Sequence, residues 1–366
     1  MMRRWGWLWG LAGTVGGCHD VDRFEPCPEG SVTVNGSCTP TPSCSGLAEN
    51  CGPQQDESCC ATAPVPGGTF VRGFDEGQNS GSVPNFLSNP TSSDSVTVGP
   101  FSLDRYEISI GRFRAFLGAM DMGWFASSLQ RGDGADPNRP TYTESDGGTV
   151  TTGWSTAITT CADGGVPRGC VQTTGQDIMA DIANRCSAPN GQLSVGDWTP
   201  MPGPNEDKPM PCITWYESMM FCIYDQGRLP TEAEWNFAAA GGSQQRAYPW
   251  SNPPTELTID STLATYGSLE SADDVGSHPA GMGPFGQYDL AGNVWEWVLD
   301  SPTKASDGTL LYAGDSLNPV DFSGDAGRVL RGGSFEDSAP DLRTSARVIL
   351  SPTARYRDSG ARCARP

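Results

Sequence analysis

The chain has 366 residues, a formal charge of −20 and only 18% charged residues. That balance excludes a nucleic-acid-binding protein, because a phosphate backbone needs a basic footprint and none is visible. With 46 glycines, 30 prolines and no long periodic apolar stretch, the sequence predicts short strands, few helices and extensive coil.

At the N-terminus, Arg3 and Arg4 precede an apolar run from Trp5 to Val15, followed by small residues and Cys18. This is the pattern of an export signal over residues 1–18. The run of 11 residues falls short of the roughly 20 that a membrane-spanning helix needs. Val15-Gly16-Gly17-Cys18 resembles a bacterial lipobox, which makes Cys18 the expected lipidation site and holds the exported chain to a membrane surface in the cell envelope. The competing reading is a secreted protein in which Cys18 merely lies near the cut.

There are 13 cysteines, and setting Cys18 aside leaves 12. An even set in an exported chain reads as disulfides of unknown connectivity. Two histidines and no paired C-x-x-C units speak against a zinc site in their place. Residues 19–62 are rich in cysteine, proline, glycine and serine, and read as a spacer or small disulfide-stapled module.

The main domain is expected over 63–366. Val65 to Phe70 and Phe101 to Glu107 read as its first strands, and Ser109 to Leu117 as a helix with Ile110, Phe113, Phe116 and Leu117 on one side. From about 121 to 205 the sequence turns polar and glycine-rich, an insertion on the core. Thr231-Glu232-Ala233-Glu234 follows Pro230 as a capping box: the Thr231 hydroxyl and Glu234 carboxylate satisfy amides at a helix start. Asp289 to Trp297, DLAGNVWEW, sets two carboxylates seven residues apart around a glycine. Such a turn can surround a hard cation with oxygens, Ca²⁺ taking about 6–8 of them; the alternative is a turn capped by Asp289 with tryptophans in the core. No G-x-S-x-G elbow, P-loop or H-E-x-x-H is present, and Ser334 has no base supplied by a supporting motif.

The ordered segments Arg228–Trp235 (RLPTEAEW), Asp289–Trp297 and Arg331–Phe335 (RGGSF) resemble the formylglycine-generating enzyme family, the sulfatase-modifying factor domain. The resemblance implies a C-type-lectin-like α+β fold. It also implies a Cys222–Cys363 disulfide, while Ala239 stands at a site of the family's second bridge. A structural calcium on Asp289, Gly292, Val294 and Glu296 is implied as well; a second calcium site near Thr258, Ile259 and Asp260 stays open. The family's copper-binding cysteine pair falls on Asp337 and Leu342 here, and neither supplies a soft thiolate, so copper is not expected. The three-histidine iron set of related sulfoxide synthases is excluded by count, since only His19 and His278 exist; His278 reads as a loop residue.

The expectation is therefore a non-catalytic envelope protein that binds a protein or glycan partner. Arg331, Ser334, Glu336, Asp337, Asp341 and Arg343 are its candidate cleft residues, the alternative for Arg331, Arg343 and Arg347 being that they pair with carboxylates or fix carbonyls around the core. The alternative is an active family enzyme, a formylglycine-generating-type oxidase or a nonheme iron oxidoreductase using Glu336, Asp337 and Asp341 as ligands.

Overall fold

The structure is a computed structural model that describes residues 31–34, 37–74, 95–143, 149–155, 171–186, 198–199, 201–268, 270–301, 303–304, 310–311, 317 and 327–366. The export signal, Cys18, His19 and the cysteines at 27, 161 and 170 lie outside the described residues.

The expected first strand divides in two. β1 (Thr62–Val65) and β2 (Gly68–Val71) flank Pro66-Gly67, where Gly67 has φ +71° and the proline can give no ladder hydrogen bond. β3 (Ser95–Val98) pairs antiparallel with β2, and β4 (Phe101–Asp104) with β1. α1 (Ile110–Asp121) begins one residue after Ser109, whose hydroxyl accepts from the Arg112 amide. Its apolar face, Ile110, Phe113, Phe116 and Leu117, is buried against α4 (Trp215–Tyr224), as the spacing requires. Short α2 (Trp124–Ser128) and α3 (Gly175–Arg185) come from the insertion.

α4 and α5 (Glu232–Ala240) both start with capping boxes, Thr214/Glu217 and Thr231/Glu234. Each box glutamate also takes a buried arginine. Glu217 pairs with Arg355, and Glu234 accepts two 2.6 Å bonds from Arg228. The central sheet runs β7-β6-β5-β8, with β5 (Trp295–Trp297), β6 (Arg328–Arg331), β7 (Arg347–Leu350) and β8 (Ser359–Gly360). Its β5–β6 register sets Glu296 opposite Arg331. The last strand, β9 (Ala364–Arg365), returns to pair with β4, so the C-terminus closes the domain on its own first sheet.

The spacer boundary at residue 62 does not hold for residues 41–61. Ser43 is fully buried and donates its amide to Asp225, while Arg112 reaches back to the Ser43 hydroxyl and the Cys59 carbonyl. Two disulfides, Cys44–Cys60 and Cys51–Cys59, fasten this segment. Too short to bury a core of its own, the segment packs Cys51, Cys59 and Ala61 against Tyr106, Val275 and Tyr288 of the domain. Among the described residues two further disulfides are formed: Cys222–Cys363, the pair the resemblance implied, and Cys186–Cys212, which ties α3 to the core.

Candidate functional site

The three marker segments meet in one buried polar knot. From α5, Glu232 pairs with Arg331 (2.5 Å) and Arg347 (3.1 Å), and the Trp235 indole donates to Glu296 (2.8 Å). Arg331 also donates to the Thr344 and Ala346 carbonyls and is fully buried. Arg331 is therefore a strut between helix and sheet, and Arg343, only 5% exposed, sits in the turn after Leu342. Neither lines a cleft open to solvent, and Arg331 follows the reading in which it pairs with a carboxylate and fixes carbonyls in the core. Charge alone does not tell an inward guanidinium from an outward one.

Behind this knot lies a nest of buried carboxylates. Glu296 is held by Arg362 through Nε (2.7 Å) and Nη2 (2.6 Å). Glu107 accepts from the Asn293 side chain (2.6 Å) and the Val294 amide (3.1 Å). Asp289, in a left-handed turn at φ +55°, accepts from the Gly276 amide (2.7 Å). Gly292 (φ +84°) lets the turn pass so close to the Thr265 carbonyl that a Cβ would collide with it. Burial, then the charges of Asp289 and Glu296, push Glu107 well above the usual carboxylate range. Burial raises Asp289 as well. Among the described residues Arg362 is the one buried guanidinium hydrogen-bonded within this nest, and its carboxylate partner is Glu296; Glu107 and Asp289 feel its charge without a bond to it. The donor atoms are all oxygens and the negative charge is in excess. Oxygen donors are the kind a hard divalent cation takes, but among the described residues these three side chains do not form a group of ligand atoms within 4.8 Å of one another, and buried charge can equally be paired or protonated. Glu107 was missed as a site residue. Its signal was a carboxylate between Tyr106 and Ile108, two side chains that both belong in a core.

Backbone bonds tie this nest to the segment that follows Gly333. Gly292 N donates to Gly332 O (2.9 Å), Phe335 N to Asn293 O (2.9 Å) and Trp295 N to Asp358 O (2.7 Å). Ser334 then gathers two carboxylates: its hydroxyl lies 2.6 Å from Asp337 Oδ2 and 3.0 Å from Asp358 Oδ2, and its amide donates to Asp337 (2.9 Å). Burial raises Asp337, against the lowering bond from Ser334. Burial, with the nearby charges of Glu336 and Asp337, pushes Asp358 up to about 6. Glu336 pairs with Arg357, whose guanidinium stands over the Phe335 ring. Asp341 is held by the Ser338 hydroxyl (2.6 Å).

The structure thus brings Ser334, Glu336, Asp337 and Asp341 along one segment and adds Asp358, which local sequence gave no means of finding. Leu342 turns the other way, fully buried with Tyr248, Ala264 and Ala291. His278, half-buried, lies 3.0 Å from Asp273 and 2.8 Å from the Thr265 hydroxyl. The Asp273 bond raises its pKa. This stitches the 262–278 loop, whose Gly267 and Ser268 amides donate to the Asp337 and Phe335 carbonyls.

A buried arginine–carboxylate frame, short sheets and helix-starting capping boxes describe an α+β domain of the formylglycine-generating-enzyme type. Residues 48–366 match the sulfatase-modifying factor enzyme 1-like domain, and the chain belongs to that family. It is 28% identical over 313 residues to the formylglycine-generating enzyme of Thermomonospora curvata, covering 82% of this chain and 91% of that one. It is 24% identical over 332 residues to the inactive C-alpha-formylglycine-generating enzyme 2 of Mus musculus, covering 83% and 85%. Among solved structures, PvdO from Pseudomonas aeruginosa aligns with a TM-score of 0.49 at 19% identity, over 83% of this chain and 93% of that one.

Proposed function

We propose that this chain is a non-catalytic binding module of the cell envelope, lipid-anchored through Cys18, that takes a protein or glycan ligand along the Ser334–Asp341 segment. The observation that carries this reading is the chemistry at the two positions where the family resemblance sets its thiolates. Asp337 is a hard ligand already engaged by Ser334, and Leu342 is fully buried in an apolar cluster. Every cysteine whose side chain is described belongs to a disulfide. A relative bearing the word "inactive" in its name, similar over most of both chains, is consistent with a scaffold kept without its oxidase chemistry.

In the same reading, calcium is structural. Asp289, Glu296 and Glu107 would hold it with the Gly292 and Val294 carbonyls, and it would supply the positive charge that the buried carboxylates lack. Elemental analysis of the purified chain, combined with oxygen uptake on thiol-containing peptides, tests the proposal. Calcium without copper or iron, and no oxygen uptake, is the expected result. A stoichiometric redox metal that Asp337→Ala removes would replace it with the enzyme reading.

A further inference from the structure

We propose that Cys51, Cys59 and Asp207 form a redox-gated site for a zinc-class divalent cation, closed while the two sulfurs are joined and open once a dithiol reductant separates them. The two sulfurs and a carboxylate oxygen of Asp207 all lie within 4.8 Å of one another. In the oxidised chain that contact is chemically idle. A carboxylate can only accept, and neither sulfur of a disulfide carries a proton to give.

The carboxylate is nevertheless aimed and held. Asn50 Nδ2 donates to Asp207 Oδ2 at 2.6 Å, and the backbone carbonyl of Asp207 accepts from Val275 N at 2.9 Å. Asn50 Oδ1 lies 3.9 Å from Cys59 Sγ, so one amide orients the carboxylate and offers a fourth ligand atom. Burial, with the charges of Asp274 and Glu206, pushes Asp207 up to about 6, a cost that a bound cation relieves.

The dimensions suit zinc. With Zn–S of about 2.3 Å and Zn–O of about 2.0–2.2 Å, tetrahedral ligands stand roughly 3.5–3.8 Å apart. The cysteine Cα atoms are 5.0 Å apart and their backbones are fixed, Cys51 by paired bonds with Glu57 and Cys59 by Arg112 on its carbonyl. Parting the sulfurs therefore needs side-chain rotation and little more. The neighbouring Cys44–Cys60 bridge still crosslinks the segment, and Asp225 and Arg112 hold it on the domain through Ser43. Two soft thiolates and one carboxylate favour zinc over calcium, which wants about 6–8 oxygens.

The chemistry balances. A dithiol reductant gives two electrons and two protons to the Cys51–Cys59 bond and leaves as its own cyclic disulfide. The divalent ion then binds the two thiolates and releases two protons.

The test uses the full chain, reduced stepwise by a phosphine that is then removed, with alkylation and mass mapping to report which bridge has opened. Cobalt(II) is the probe, because a thiolate-to-cobalt band in the near ultraviolet reports sulfur ligation directly; zinc is then counted by displacement. The expected result is about one ion per chain at the step that opens Cys51–Cys59. Asp207→Asn should bind at least about tenfold more weakly, and the Cys51→Ser/Cys59→Ser double variant should show no sulfur band. The proposal is overturned by a reduced, folded chain that shows no band, by equal binding in Asp207→Asn, by a band that survives in the double serine variant, or by loss of near-ultraviolet circular dichroism when that bridge opens.

Discussion

Replacing Arg362 by methionine isolates the buried charge on which the carboxylate nest depends. The guanidinium is fully buried and bonded to both oxygens of Glu296; it also donates to the carbonyls of Tyr288 (2.8 Å), Asp104 (3.2 Å) and Arg105 (3.2 Å). Methionine fills most of the volume but leaves Glu296 with only the Trp235 indole, beside Glu107 and Asp289. Breaking one side of a buried pair costs about 3–5 kcal/mol. At about 2 °C per kcal/mol for a large domain, the melting temperature in chelator should fall by about 6–10 °C. The assay is thermal and guanidinium unfolding under oxidising conditions, in EGTA and then in millimolar calcium. Adding Glu296→Gln removes the stranded charge, so the double variant should recover part of the loss. A single variant within about 1 kcal/mol of the parent, or a double variant whose losses simply add, would refute the reasoning. Either would mean the pair is hydrated and uncoupled.

Asp358 titrates up to about 6 in the fold against about 3.9 in an unfolded chain. The folded state then binds the extra proton between those values, and the group's contribution to stability falls as pH rises through about 4 to 6. Asp358→Asn should therefore be close to neutral at pH 4 and stabilising at pH 7 by about 1–2 kcal/mol after allowing for partial exposure; a gain independent of pH between 4 and 7 contradicts this. Leu342→Ala opens a cavity in a fully buried cluster and should cost about 2–5 kcal/mol in denaturant titration; a surface-like loss below about 0.5 kcal/mol would deny its burial. Opening the Cys222–Cys363 bridge, which spans 141 residues, with paired alanines should cost about 5 kcal/mol by the loop-closure argument. Unchanged guanidinium stability would show that other crosslinks already confine that loop. Thr231→Ala removes the α5 cap and should cost about 1 kcal/mol, and a null effect by the same titration would count against the capping box.

The parts of the fold legible in the sequence are those whose partners lie a few residues apart. Thr231 and Glu234 close their capping box within one helical turn, and the apolar spacing from Ile110 to Leu117 announces which face of α1 is buried. Cys222–Cys363 was readable only through family resemblance, because spacing alone leaves the connectivity of twelve cysteines open. Where sequence reasoning failed, it had assigned exposure by residue type. Charge left Arg331 and Arg343 open between pairing in the core and lining a cleft, and composition set residues 41–61 outside the domain.

The sequence thus carried the family, the capped start of α5 and the buried face of α1, because each is written in identities at short range. Only the tertiary structure decided that Glu107 and Arg362 meet across 255 residues of chain in one nest with Asp289 and Glu296, and that Asp358 joins Asp337 on Ser334. The physical reason is that a carboxylate's neighbours, and with them its proton affinity, are set by strand register and chain return. Here β8 and β9 bring the last residues of the chain back beside β5 and β4.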